Sequence, residues 1–422
     1  MQSSVPIARS STPVQRRFWL FELTREERST LIATFGGWAL DGMDVMIYSF
    51  VISTLIAHWK MSQGQAGLLS TVALLVSAVG GWLAGLLADR FGRARMLQIT
   101  ILWFAVFTFL SGFTNSFQQL LITRGLQGLG FGGEWAVGAV LMGEAIRSEH
   151  RGKAVGTVQS GWAIGWGVAA LCYTALFSWL PTALAWRVMF WVGILPSLLV
   201  FYIQRHVPEP EVFQRAKTAG AQQGSLLQIF SPQLLRITAL ASLLAIGAQG
   251  GYYAITTWLP TYLAMRGLSV LHTGAYVSVV IAGSFVGYLC GAWLTDRLGR
   301  KRTLLLYACC SLLAVLSYTF VPISDTAMLL LGFPLGFFAS GSFSPIGAFF
   351  TELFPTQLRG SGQGFSYNVG RGIGACFPTL VGYLGAQMGL GHAIALFAAT
   401  AYLLMTLATC LLPETKGRNL TS

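Results

Sequence analysis

Long, unbroken runs of apolar residues alternate with short polar segments along the whole chain. A helix that crosses a bilayer needs about 20 mostly apolar residues, whereas a membrane-spanning β-strand needs about 10 residues of alternating polarity. The runs in this chain are longer and solid, so they predict an all-α membrane protein and not a barrel. Twelve such runs are found, with approximate limits at residues 30–57, 65–88, 96–114, 117–145, 152–179, 185–204, 236–263, 270–294, 303–322, 326–352, 360–388 and 390–412.

The longest polar segment divides the twelve predicted spans into two groups of six. It contains Pro208, Pro210, Gly220 and Gly224, which are residues that interrupt helices. The predicted organisation is an N-terminal tail at 1–29, a six-helix half at 30–204, a linker at 205–235, a second six-helix half at 236–412 and a C-terminal tail at 413–422.

Two motifs occur once in each predicted half. The segment Asp89–Arg93, with sequence DRFGR, recurs 207 residues later as Asp296–Arg300, with sequence DRLGR. An acidic residue followed seven residues later by Arg-Gly occurs after spans four and ten, with an offset of 208 residues. Because the two offsets agree to within one residue, the second half is predicted to repeat the structure of the first. The residues of this second motif are Glu144 and Arg151 in the first half and Glu352 and Arg359 in the second.

The composition and the placement of charge agree with a membrane protein. Only 10% of the residues are charged and 54% are hydrophobic, whereas soluble domains have about 25% charged residues. If the N-terminus is cytoplasmic, all but five of the 27 Lys and Arg residues fall in the tails and loops on the cytoplasmic side. This bias predicts that both termini are cytoplasmic. It also accounts for the net charge of +12 without a nucleic-acid partner, for which the chain has no continuous basic surface.

Two segments resemble signatures of a known family. The residues GLLADRFGRAR from Gly85 to Arg95 resemble the loop 2–3 signature of the major facilitator superfamily, and they recur in loop 8–9 with Ala292 in place of the leading Gly. The residues RGLQGLG from Arg124 to Gly130 are similar to the helix-4 motif of that superfamily. Together with the twelve spans and the repeat, the chain is identified as a member over nearly its whole length.

Membership implies a secondary active transporter whose two six-helix halves rock around a site near the middle of the bilayer. The motif residues at the cytoplasmic ends of the helices are expected to bridge the halves in the outward-open state and to separate in the inward-open state. The residues expected to act in gating are Gly85, Asp89, Arg90, Gly92, Arg93, Glu144, Arg151, Asp296, Arg297, Gly299, Arg300, Glu352 and Arg359.

Shorter motifs indicate the kind of substrate. Leu40–Asp44 in helix 1, Gly132–Trp135 in helix 4 and Asn368–Arg371 in helix 11 resemble the proton symporters for organic acids, in particular the sialic acid and lactate group and the aromatic-acid group. The tail at 413–417 resembles that of sugar porters, but organic-acid symporters carry it too. Helix 7 reads AQGG at 248–251, where sugar porters have paired glutamines, and helix 5 lacks the Gly-Pro pair of drug antiporters. A sugar or neutral-solute porter, or a proton-driven drug antiporter, is the alternative.

Five charged residues fall inside the predicted spans, namely Asp41, Asp44, Arg124, Glu134 and Arg371. A charge at the bilayer centre costs about 2.5–3.5 kcal/mol, so each must face protein or water. The three acids and two arginines leave one net negative charge when all are ionised. One bound proton neutralises the site, and an anionic substrate that binds with a second proton keeps that balance. The count therefore favours proton-coupled uptake of a monocarboxylate.

The three acids are the candidates for the coupling proton. Asp41 and Asp44 share a face of helix 1, and carboxyl groups this close favour a neutral form of one of them, as a proton carrier requires. Alternatively, one of the two pairs with a buried Arg and the other caps or solvates a bend in the helix. Glu134 is either a coupling site or the ion-pair partner of an Arg.

Arg371 is the strongest candidate for substrate contact, because the fork of a guanidinium suits bidentate binding of a carboxylate. Its alternative role is a permanent pair with an acid across the two halves. Arg124 shares a polar stripe of helix 4 with Glu134 and is either an anion contact or a structural partner of Asp44. The other predicted lining residues are Tyr367 and Asn368 in helix 11, Gln249, Tyr252 and Tyr253 in helix 7, Gln159 and Trp162 in helix 5, and Ser340, Ser342 and Ser344 in helix 10.

The remaining patterns argue against an enzyme. The six cysteines have neither metal-ligand nor disulfide spacing, no H-E-x-x-H motif is present and no Gly-rich phosphate loop precedes a helix. We therefore expect no cofactor and transport driven by the proton gradient, by a monomer in the bacterial inner membrane. A sensor that has this fold but does not transport is a second alternative.

Overall fold

Twelve helices make up the fold. The computed structural model describes residues 19–147, 151–209, 226–320, 325–355 and 358–416, and in these residues the chain forms helices and no strand. The prediction of an all-α protein with twelve spans is confirmed. The helices are α1 (Arg25–Trp59), α2 (Gln63–Phe91), α3 (Arg93–Ser111), α4 (Phe117–Ala145), α5 (Arg151–Trp179), α6 (Thr182–Val192 and Ser197–His206), α7 (Leu235–Met265), α8 (Val270–Leu298), α9 (Arg300–Phe320), α10 (Asp325–Gly341 and Phe343–Leu353), α11 (Arg359–Gly374 and Phe377–Met388) and α12 (Leu390–Leu411).

Three helices are less apolar than the others. Within the described residues, nine helices are long and apolar enough to cross a membrane on length and composition alone, whereas α4, α7 and α11 are not among them. These three carry Arg124, Gln249 and Arg371, and all three side chains are buried. Helices that bury polar groups against other helices do not need a fully apolar surface. These three helices therefore bring buried polar groups into the part of the bundle where a site is expected.

The helices α2 and α8 begin and end at equivalent positions in the two halves. The hydroxyl oxygen of Ser62 accepts a hydrogen bond from the backbone N–H of Gln65 (3.1 Å) and caps α2, and Ser269 caps α8 in the same way through His272 (3.3 Å). These serines are 207 residues apart, which is the offset of the DRFGR and DRLGR segments at the other ends of the same helices. Local capping thus follows the internal repeat.

A glycine with positive φ joins α2 to α3 and α8 to α9. Gly92 has φ 107° and Gly299 has φ 99°, a backbone conformation that favours glycine. A Cβ atom at either position would also overlap a carboxylate, that of Glu209 beside Gly92 and that of Glu414 beside Gly299. Each motif glycine therefore makes room for an acid from a later segment of the chain.

Those two acids cap the following helices. Glu209 accepts hydrogen bonds from the backbone N–H groups of Arg93 (2.7 Å) and Arg95 (3.1 Å), and Glu414 accepts one from the backbone N–H of Arg300 (3.0 Å). A carboxylate at a helix N-terminus satisfies free N–H groups and is stabilised by the helix dipole. The segment after α6 is thereby held against the start of α3, and the segment after α12 is held against the start of α9. These positions are equivalent in the two halves.

The two halves contain the same helix pairs. The helix α2 packs on α4 as α8 packs on α10, and α1 packs on α5 as α7 packs on α11. Between the halves, α2 packs on α11 and α5 packs on α8. The α2–α4 contact is close because a Cβ atom at Gly132 would overlap the carbonyl oxygen of Ser77, and one at Gly80 would overlap that of Leu129. Small residues permit such an approach of helix backbones.

The helices α2 and α11 contact each other closely across the two halves. A Cβ atom at Gly67 would overlap the backbone of Pro378, and one at Gly81 would lie 3.1 Å from the side-chain oxygen of Asn368. One turn further along α2, a Cβ atom at Gly85, which was predicted to act in gating, would meet nothing within 4 Å among the described residues.

We expect Gly132→Ala to lower the free energy of unfolding by about 1–3 kcal/mol, because the added methyl group forces α4 away from α2. Thermal unfolding of the purified protein in detergent measures this effect. Gly347→Ala is the matched control, since a Cβ atom at Gly347 meets nothing within 4 Å and alanine favours the helix. Equal unfolding temperatures for the two variants would contradict the close α2–α4 contact.

We expect the destabilisation caused by Glu414→Gln to depend on pH. Partial burial by itself raises the pKa of Glu414, but hydrogen bonds from the backbone N–H groups of Lys416, Thr415 and Arg300 outweigh it and leave the pKa below the ordinary value of 4.5. Because folding favours the ionised form, the stabilisation is complete above pH 4.5 and is lost as the pH falls through the lowered pKa.

The measurement is the difference in unfolding temperature between wild type and Glu414→Gln from pH 7 to pH 3.5, with the exposed Glu26→Gln as control. If the difference in unfolding temperature stays constant over this range, the ionised carboxylate of Glu414 does not stabilise the start of α9.

Candidate functional site

All five charged residues predicted inside the spans lie buried in the centre of the bundle. Each is at most 2% exposed. They form two groups. The Arg124 group consists of Arg124 and Asp44 and lies on α4 and α1. The Arg371 group consists of Arg371, Asp41 and Glu134 and lies on α11, α1 and α4. The structure thus brings together the residues that the cost of buried charge had singled out.

In the Arg124 group, the acid and the base compensate one another. The side-chain amide of Gln127 donates a hydrogen bond to Asp44 Oδ2. Arg124 lies close enough to Asp44 to interact electrostatically, and its guanidinium carbon is 4.9 Å from the centre of the Tyr48 ring. This arrangement agrees with the alternative in which Asp44 is the counter-charge of Arg124.

A small cavity lies beside the Arg124 group. It is lined in part by Arg124, Gln127, Phe131 and Tyr253. The space open to the centre of a water-sized sphere is about 10 Å³, which is at the lower limit for one water molecule. An organic molecule therefore needs the helices around this cavity to move apart.

In the Arg371 group, two acids face one another. The carboxyl groups of Asp41 and Glu134 lie within hydrogen-bonding reach of each other. Neither oxygen of Asp41 has a hydrogen-bond donor in the part of the chain that the structure describes. Two ionised carboxylates repel at this separation, whereas a single proton between them makes a hydrogen bond. Asp41 therefore interacts more strongly with Glu134 on α4 than with Asp44 on the same helix.

A glycine on α1 makes room for Glu134. A Cβ atom at Gly37 would overlap Oε1 of Glu134, so the carboxyl group of Glu134 lies against the backbone of α1 one turn before Asp41. The sequence pattern did not single out Gly37. Its signal is the spacing of four between Gly37 and Asp41, which places both on one face of the helix.

Arg371 is held by aromatic rings. Its guanidinium carbon lies 5.1 Å from the centre of the Phe131 ring and 5.3 Å from that of Tyr367. Nε and Nη1 have no hydrogen-bond partner, and no ion pair within 4 Å includes Arg371, among the described residues. Asp41 and Glu134 are near enough to interact with it electrostatically. A buried guanidinium with free N–H groups can bind a carboxylate by donating hydrogen bonds to it.

Of the other predicted lining residues, Gln249 and Tyr253 support the helix that carries Arg371. The side-chain amide of Gln249 donates to the carbonyl oxygen of Tyr367 (2.8 Å), and the Tyr253 hydroxyl donates to the side-chain oxygen of Gln249 (3.1 Å). Asn368 donates to a carbonyl oxygen of its own helix (2.9 Å) and lies against α2. Gln159 is buried on α5, three residues before Trp162.

The predicted gating residues of the second half contact one another. Nη2 of Arg300 lies 2.8 Å from Glu352 Oε1, and its Nη1 lies 3.2 Å from Asp296 Oδ1. The guanidinium of Arg297 stacks on Trp293, with 4.1 Å between them. These contacts lie within one half, and bridging of the two halves remains a prediction. The side chains of Asp89, Arg90, Glu144, Arg151 and Arg359 lie outside the described part of the structure.

Two tryptophans beside the Arg371 group were not predicted as site residues either. Trp38 precedes Asp41 by one turn of α1, and Trp135 follows Glu134 on α4. Their rings pack together with 4.5 Å between the centres. A large aromatic residue one turn from a buried acid was the available signal. Across the described ranges, no group of three or more His, Cys, Asp or Glu residues is placed to hold a metal ion.

Comparisons with known proteins place this geometry in a family. The profile of the Major Facilitator Superfamily matches residues 34–377. The chain is 46% identical over 399 residues to a probable 4-methylmuconolactone transporter of Cupriavidus pinatubonensis, covering 94% of this chain and 93% of the other. It is 32% identical over 365 residues to the cis,cis-muconate transport protein of Acinetobacter baylyi, covering 84% and 87%. An inward-open structure of the xylose transporter XylE of E. coli is similar in fold, with a TM-score of 0.73 at 21% identity, covering 93% and 97%.

We expect Arg371→Lys to weaken binding of a carboxylate by about 10-fold or more, because lysine keeps the charge but loses the fork that makes two charge-assisted hydrogen bonds. Quenching of tryptophan fluorescence by a series of monocarboxylates measures the dissociation constant. Arg266→Lys, at the exposed end of α7, is the control. Unchanged affinity in Arg371→Lys would remove Arg371 from the binding site.

Proposed function

The chain belongs to the Major Facilitator Superfamily and is a multi-pass membrane transporter, and on this basis we propose that it carries an organic anion together with protons by alternating access. The observation that carries the proposal is Arg371, a fully buried cation whose Nε and Nη1 have no hydrogen-bond partner among the described residues. Arg124 also has two such nitrogens, but it lies in the same half as Asp44, whereas Arg371 lies in the opposite half from Asp41 and Glu134. A neutral sugar cannot make the pair of charge-assisted hydrogen bonds that a carboxylate makes with the free donors of this guanidinium.

The similar proteins support the same class of substrate. One is named as a probable transporter of 4-methylmuconolactone and another as a transport protein for cis,cis-muconate. We extend the class of small organic acids from those proteins to this chain.

The proton site in this proposal is the pair Asp41 and Glu134. The Arg124 group is neutral, since it has one acid and one base. The Arg371 group has two acids and one base, so one proton shared by Asp41 and Glu134 makes it neutral when empty. An anion bound to Arg371 brings one more negative charge, and a second proton on the pair compensates it. Anion and proton then cross the membrane together without net charge.

The two halves rock around this site. The close contacts of α2 with α11 at Gly67 and Gly81 lie between the two halves, and in this proposal both termini are in the cytoplasm. In the outward-open state, the motif residues at the cytoplasmic ends close the gate. The transporter acts as a monomer in the bacterial inner membrane and uses the proton gradient without a cofactor. Its positively charged cytoplasmic loops support this orientation.

We expect wild-type protein in proteoliposomes to accumulate a monocarboxylate when the outside is more acidic than the inside. The probe is the acid that gives the largest thermal shift among lactate, sialate and benzoate. Asp41→Asn and Glu134→Gln should lose accumulation driven by the pH gradient but keep exchange of labelled for unlabelled acid, because exchange needs no net proton movement.

Asp44→Asn is the contrasting variant. It leaves Arg124 without its counter-charge, so it should impair both transport modes together and lower the unfolding temperature. Wild-type uptake that ignores the pH gradient would refute symport. Gradient-driven accumulation that survives in both Asp41→Asn and Glu134→Gln would refute the assignment of the proton site.

A further inference from the structure

Six side chains at the centre of the bundle follow one another in a closed circle. Five are aromatic and the sixth is Arg371. We call this set the aromatic circle. Its successive separations, between ring centres or from a ring centre to the guanidinium carbon, are Trp38 to Trp135 4.5 Å, Trp135 to Tyr367 5.8 Å, Tyr367 to Arg371 5.3 Å, Arg371 to Phe131 5.1 Å, Phe131 to Trp162 6.0 Å and Trp162 to Trp38 4.9 Å.

Free hydrogen-bond donors lie at opposite positions of the aromatic circle. Nε1 of Trp38 is buried and has no hydrogen-bond partner among the described residues. The same is true of Nε and Nη1 of Arg371. By contrast, Nε1 of Trp162 donates to the hydroxyl oxygen of Tyr252 (2.7 Å). Leaving a buried donor unpaired costs about 1–3 kcal/mol. Trp38 is only 6% exposed. The indole N–H groups of Trp166, Trp186 and Trp191 are also without a partner among the described residues, so what suits a ligand is the position of the Trp38 donor across the aromatic circle from Arg371.

The aromatic circle can open at two places. Trp38, Phe131, Trp135 and Trp162 belong to the first half, and Tyr367 and Arg371 belong to α11 of the second. The contacts between Trp135 and Tyr367 and between Phe131 and Arg371 are therefore the two that cross between the halves. Rocking of the halves lengthens these two contacts and leaves the others intact.

Of the two contacts that cross between the halves, the one between Trp135 and Tyr367 is partly accessible from outside the bundle. Trp135 and Tyr367 are partly exposed, whereas the other four members of the circle are buried. On α4 and α11 the same two residues lie on the expected cytoplasmic side of the circle. A ligand therefore enters or leaves between Trp135 and Tyr367.

The geometry points to a flat, π-bonded carboxylic acid as the substrate, and we propose that the aromatic circle selects it by shape. The carboxylate binds Arg371, the planar part lies between the aromatic faces, and an oxygen at the far edge accepts a hydrogen bond from Trp38 Nε1. This inference rests on the proposed transport of an organic anion and narrows its substrate class.

The dimensions of the circle favour a flat ligand. Opened to a regular hexagon with sides of about 5 Å, the circle would span about 10 Å, which admits one flat ring at stacking distance from the faces on either side. A saturated ring of equal size is thicker and has no π-face to stack. In the empty site the guanidinium itself contacts the Phe131 and Tyr367 rings as a cation–π partner, and the ligand takes over these contacts.

The test compares benzoate with cyclohexanecarboxylate, which has the same charge and the same number of non-hydrogen atoms but a puckered ring. Exchange transport in proteoliposomes gives the ratio of kcat/KM for the two acids. Wild type should prefer benzoate. Trp135→Leu and Phe131→Leu should lower the ratio by roughly 2- to 10-fold, the worth of an aromatic pair. Trp135→Phe should restore much of it.

The buried Trp186 packs against His58 and Trp59, away from the circle, so Trp186→Phe is the control and should keep the wild-type ratio. The second arm is Trp38→Phe, which keeps the ring and removes the donor. It should lower the preference for 4-hydroxybenzoate over benzoate and leave the preference for benzoate over cyclohexanecarboxylate nearly unchanged.

The outcomes separate this inference from the proposed function. A misfolded variant lowers transport of both acids equally and leaves the ratio unchanged, so the ratio must change in Trp135→Leu or Phe131→Leu, with correctly folded protein, for the inference to stand. If wild type transports both acids equally well in a pH gradient, the shape selection is refuted while anion symport holds. If wild type transports no carboxylate at all, the proposed function itself is refuted.

Discussion

The structure depends on one constraint, which is that every charge buried in the bundle must be compensated. The first half holds Asp41, Asp44, Glu134 and Arg124 and therefore has an excess of negative charge, and the second half contributes Arg371 alone. Compensation of the Arg371 group is thus possible only when the halves are together or when a proton or an anion is bound. Since rocking changes the distance between the halves, it also changes the affinity of the site for both ions.

The scaffold repeats, but the chemistry does not. The caps of α2 and α8, the glycines that follow these helices and the acids packed against those glycines occur at equivalent positions in the two halves. At the position 207 residues after Asp41 stands Ala248, and 207 residues before Arg371 stands Ile164. Duplication therefore supplies the symmetric motion, whereas the asymmetric charges give a single site in which acid and base come from different halves.

Sequence was sufficient for the twelve helices, because runs of apolar residues are long and the repeat is strong. It also located the five buried charges, because such charges are costly in a membrane. It did not reveal which acids meet. Helical spacing places Asp41 and Asp44 on one face, but packing of α4 directs Asp44 to Gln127 and Asp41 to Glu134. Partners across helices depend on tertiary packing, for which a single sequence carries no direct signal, and for this reason the aromatic circle was missed as well.

The way in which Arg371 is held decides what it can do. In a tight ion pair with Asp41 or Glu134, it would have to lose a partner before it could bind a substrate, and separating a buried pair costs several kcal/mol. Contacts with Phe131 and Tyr367 are worth about 0.5–2 kcal/mol and can be replaced by a ligand. The weaker hold keeps the guanidinium in place and leaves its donors free. Aromatic residues thus serve the site in two ways, since they position the cation when the site is empty and present faces for stacking when it is full.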